Sequence, residues 1–93
     1  MAKMSDFSRA KLADAGVDRD VIAAIDKLLA VSDAFYTAKG YADTFDKSVN
    51  SHGEAGAKTI MFNILGGLLG WQGDTAAENK HIVRLWLKHK PVA

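Results

Sequence analysis

The sequence predicts an all-α fold, a small single-domain bundle of four to five helices over residues 1–93. Three observations lead there. Apolar residues recur at three- and four-residue steps along most of the chain, no segment alternates apolar and polar residues between turns as a strand would, and the only proline, Pro91, stands near the C-terminus. A chain of 93 residues can hold one core, and 48% hydrophobic with 25% charged residues is the balance of a chain that packs rather than one that stays disordered.

The first helix is expected to start at Ser5, whose hydroxyl can cap it, to carry Phe7 and Leu12, and to end at Gly16 in the left-handed conformation. Asp18 reads as the N-cap of a long second helix, with Val17 and Ile22 placed as a hydrophobic staple. Its apolar face is Val21, Ile22, Ile25, Leu28, Leu29, Phe35 and Tyr36. Gly40 breaks that phase, because the same helix continued would carry Asp43 into the apolar stripe, and a fresh stripe of Tyr41, Phe45 and Val49 follows.

Ser51-His52-Gly53-Glu54 has the form of a capping box and predicts a helix start near residue 52. That helix becomes apolar on nearly every side through Ile60, Met61, Phe62, Ile64, Leu65, Leu68 and Leu69, so it has to be surrounded. Gly66 and Gly70, four residues apart, would let a neighbouring backbone approach. The apolar stretch from Ile60 to Trp71 is short of the roughly 20 residues that a membrane-spanning helix needs. After the turn Trp71-Gln72-Gly73-Asp74, a second capping box, Thr75-Ala76-Ala77-Glu78, opens the last helix. There Ile82, Val83 and Trp86, flanked by Leu85 and Leu87, face the core, while Lys80, Arg84 and Lys88, with His81 beside them, form a basic face.

Composition narrows the function. The formal charge of +1 gives no overall field for non-specific nucleic-acid binding, although four of the five Lys and Arg residues in the C-terminal half lie between Lys80 and Lys90. The chain lacks cysteine, which removes disulfides, thiolate zinc sites and a cysteine nucleophile and fits a cytoplasmic location. The charged N-terminal segment Met1 to Asp6 has no apolar stretch behind it, so a signal peptide is not expected. The glycines at 66, 67 and 70 lack the spacing, preceding strand and lysine of a phosphate loop, and no nucleophile elbow is present. No enzyme activity, cofactor or metal is therefore assigned.

The one metal-like spacing, Glu78-x-x-His81, would be doubled in a symmetric dimer that also brought two copies of Glu54. It is set aside because the capping box already employs Glu78. His52 and His89 need no catalytic role, and Trp71, at a turn, is a better interface anchor than Trp86.

The leading expectation is a small accessory, regulatory or inhibitory protein that acts by protein–protein interaction, with self-association into a homo-oligomer. A chain this short has difficulty surrounding so apolar a helix, which makes Phe62, Leu65, Leu69 and Trp71 the candidate partner-binding residues. The alternatives are nucleic-acid or acidic-partner binding through Lys80, Arg84, Lys88 and His81, and membrane-surface activity. A helix-turn-helix comparison is poor, because Asp74 and Glu78 at the front of the last helix would repel phosphates.

Overall fold

The structure, a computed structural model, describes residues 4–89. Helices make up 79% of them and none is in a strand, which establishes the all-α bundle. Five helices follow one another: α1 (Asp6–Asp14), α2 (Arg19–Ser32), α3 (Tyr36–Ala42), α4 (Phe45–Gly67) and α5 (Asp74–Lys88). Pro91 lies outside the described residues.

Local chemistry sets the first two helices as expected. Ser5 caps α1 by accepting from the Ser8 amide at 3.1 Å. At the other end Gly16, with φ of 89°, closes a Schellman turn in which its amide donates to Ala13 and the Val17 amide to Leu12. Asp18 occupies the N-cap of α2 without a side-chain bond, and Val17 and Ile22 are both buried, as the staple requires. Ile25, Leu28 and Leu29 then pass fully into the core.

α2 ends earlier than the periodicity suggests. Ser32 is buried and turns its hydroxyl back to the Leu28 carbonyl at 2.7 Å, a local bond that competes with helix continuation. The chain leaves the helix there and Phe35 becomes extended. Gly40, read as the break, lies inside α3, and Tyr36 is 95% exposed rather than part of the apolar face.

α4 is the centre of the bundle and touches each of the other four helices. Its inner side buries Phe45, Val49, Ala57, Ile60, Met61, Ile64 and Leu65. A second helical segment does begin close to residue 52, as expected: α4, which runs from Phe45, is interrupted at Gly53, whose φ of 61° and ψ of −139° are non-helical and suit glycine alone. The capping box fails because Glu54 is used elsewhere, its carboxylate accepting from Trp86 Nε1 at 2.9 Å.

The close approach assigned to Gly66 and Gly70 belongs to Gly67. A Cβ there would stand 2.7 Å from the Ala38 nitrogen, so α3 packs directly on the end of α4. Nothing stands within 4 Å of a Cβ at Gly66, while Gly70 lies beside the Phe35 ring. The box at Thr75 does not form either, since Gly73, with φ of 115°, is the N-cap of α5 and Asp74 is already helical. α5 lies against α2 and α4, burying Val83 and Trp86.

Polar contacts fix the outer helices. Asp46 Oδ1, on α4, accepts from the Ser5 amide at 3.0 Å and from Ser8 Oγ at 2.6 Å, tying down the start of α1. Arg9 pairs with Asp26 between α1 and α2.

Candidate protein-docking groove

Phe62, Gly66 and Leu69 follow one another at four and three residues, so they share one side of the C-terminal end of α4. That side is open: Phe62 is 70% and Leu69 68% exposed. Between them Leu65 lies buried, and Gly66 presents no side chain at all. Across the gap, α5 contributes Leu87 with Arg84 and Lys88. Together with Asn63 these residues enclose a groove of about 560 Å³. Its walls are mainly apolar, and among the described residues its only charged side chains are the two cations of α5 and no acid lines it.

Three of the four sequence-predicted partner residues, Phe62, Leu65 and Leu69, therefore meet in one place. Trp71 does not join them. It is half-buried against the core, and its ring lies 5.8 Å from Lys80 Nζ. The sequence alone does not mark Gly66 and Leu87 as site residues. The signal for Gly66 was its four-residue spacing from Phe62, and Leu87 flanked the apolar face of its own helix.

The basic face of α5 is smaller than its sequence implies. Arg84, Lys88 and His81 are exposed, but Lys80 is buried, with 8% of its surface accessible. Its ammonium donates to the Leu68 carbonyl at 2.8 Å and to the Trp71 carbonyl at 2.6 Å. The end of a helix leaves carbonyls without intrahelical donors and a partial negative charge, and Lys80 answers both. Burial, followed by the charge of Arg84, holds the Lys80 ammonium below its ordinary value of 10.5.

Two other hollows mix both signs of charge. One, between α3 and α4, places Tyr36, Tyr41 and Ile60 beside Lys39 and Asp43. The other, where the start of α2 meets the end of α5, has Asp18, Asp20, Glu54 and Lys58 around Trp86. Its central groups satisfy one another: Glu54 accepts from Trp86, and Lys58 donates to the His89 carbonyl and lies 5.5 Å over the Trp86 ring.

Glu78 and His81 are both exposed, and among the described residues no three His, Asp or Glu side chains stand close enough to hold a metal ion. Among the same residues no helix is long and apolar enough to cross a membrane. Compared with protein-family models, curated proteins and solved structures, the chain shows no match.

Proposed function

We propose that the protein is a non-enzymatic accessory or regulatory factor, inhibitory factors included, that acts by protein–protein contact through the α4–α5 groove and associates with itself there. One observation supports this reading: Phe62 and Leu69 stand largely in water on either side of an open glycine floor. Covering apolar surface is favourable by roughly 25 cal/mol per Å², and clustered exposed apolar groups mark contact sites more often than scattered ones do. Nucleic-acid binding loses support once Lys80 is turned inward, since Arg84 and Lys88 then share α5 with the exposed acids Asp74 and Glu78.

Backbone amide NMR spectra recorded over a dilution series test the proposal. The signals of Phe62, Gly66, Leu69 and Leu87 are expected to shift together as concentration rises from micromolar to millimolar. Constant positions for all four would reject self-association at this groove.

A further inference from the structure

α5 carries a charge pattern that pairs with no side chain among the described residues. At 3.6 residues per turn, Asp74, Ala77, Glu78, Arg84, Leu85 and Lys88 all lie within about 60° of His81 around the helix. All seven residues are exposed. The acids occupy the first half of this face and the cations the second.

Within the helix that arrangement is unfavourable, because Asp74 with Glu78, Lys80 with Arg84, and Arg84 with Lys88 are like charges four residues apart. The helix dipole accounts for Asp74 in the first turn and Lys88 in the last. It does not account for Glu78 and Arg84, since its influence fades within a turn of each end. None of Asp74, Glu78, Arg84 and Lys88 has a hydrogen-bond or ion-pair partner among the described residues.

We infer that the partner at this face is a second copy of the chain, with the two α5 helices antiparallel about a twofold axis at His81. The inference rests on the proposed self-association and specifies its register. Asp74 and Lys88 are each seven residues from His81, so Asp74 comes level with the partner's Lys88. Glu78 and Arg84 are each three residues away, so Glu78 comes level with the partner's Arg84.

Packed helices lie 8–10 Å apart, a gap that lysine and arginine side chains can span. The same placement lays the acidic first half of one α5 along Arg84 and Lys88, the basic wall of the other copy's groove. The twofold axis repeats both contacts. Centring the axis on the groove itself would instead bring Arg84 and Lys88 of both copies together. The ion pairs set orientation, and burial of Leu85, exposed on the same face, adds apolar contact beside the groove.

Charge exchange tests the register. The dimer dissociation constant is measured by sedimentation equilibrium for the wild-type chain, Glu78→Arg, Arg84→Glu and the double variant, with circular dichroism as a check on helix content. Each single exchange replaces two ion pairs with two repulsions and is expected to weaken the dimer on the order of tenfold. The double exchange restores both pairs and should recover most of that loss. Glu78 and Arg84 are six residues apart in one helix, so the rescue can come only from the second copy. A dimer that ignores all three changes, or single losses that the double variant does not repair, would overturn the register and leave self-association standing. A wild-type chain that stays monomeric would remove both.

Discussion

Replacing Lys80 by methionine keeps most of the side chain's length and removes its donors. The Leu68 and Trp71 carbonyls, now served by the ammonium at 2.8 and 2.6 Å, would lose that partner. A hydrogen bond from a charged donor contributes about 1.5–3 kcal/mol, and relief from keeping a cation 8% exposed offsets part of the loss of two. The net expectation is a loss of about 2–3 kcal/mol, which for a chain of this size lowers Tm by about 10–20 °C. Urea denaturation followed by tryptophan fluorescence measures it. Lys27→Met, at an exposed position of α2, is the control and should stay within about 0.5 kcal/mol of wild type.

The pH dependence gives a second reading of the same contact. Between the depressed folded value of Lys80 and 10.5, the unfolded chain holds a proton that the folded chain has released. Wild-type stability should therefore gain, relative to Lys80→Met, as pH rises through that window. A methionine variant as stable as wild type at neutral pH would refute the view that this lysine holds the end of α4.

Gly67 and Gly66 should respond in opposite directions to alanine. Gly67→Ala drives a methyl into the α3 backbone and is expected to cost about 1–3 kcal/mol, whereas Gly66→Ala meets nothing and should be neutral or stabilising by up to about 1 kcal/mol, both read from urea midpoints. Gly53→Ala forces a side chain into the conformation at the kink of α4 and should destabilise by about 1–3 kcal/mol in the same assay. At Asp46, burial works to raise the carboxyl, but hydrogen bonds from the Ser8 side chain and from Ser5 outweigh it and hold the group below its ordinary 3.8. That stabilisation is present above 3.8 and is lost as pH falls through the folded value. Asp46→Asn should therefore flatten the acid limb of the stability profile, measured by thermal melts between about pH 2 and pH 6.

The parts of the fold that depend on local chemistry could be read from the sequence. Ser5, Gly16 and the staple of Val17 with Ile22 lie next to the groups they serve, and the strong periodicity of α2 identified its buried face. Features that depend on distant partners could not be read. Ser51 and Glu54 have the spacing of a capping box, yet Glu54 belongs to Trp86, 32 residues away. Lys80 continues the basic stripe of α5 in sequence, and only the position of the α4 carbonyls turns it inward. The groove was half legible: an excess of apolar residues on α4 pointed to Phe62, Leu65 and Leu69, while the opposing wall on α5 emerged only once the two helices were placed side by side.

Whether a second copy covers Phe62 and Leu69 is read from the native mass of the wild-type chain, measured by light scattering across a wide concentration range. Self-association is expected to shift the mass from 10.0 kDa toward twice that value as concentration rises, and changing both Phe62 and Leu69 to glutamate should suppress the shift. A constant mass of one chain at every concentration would contradict it.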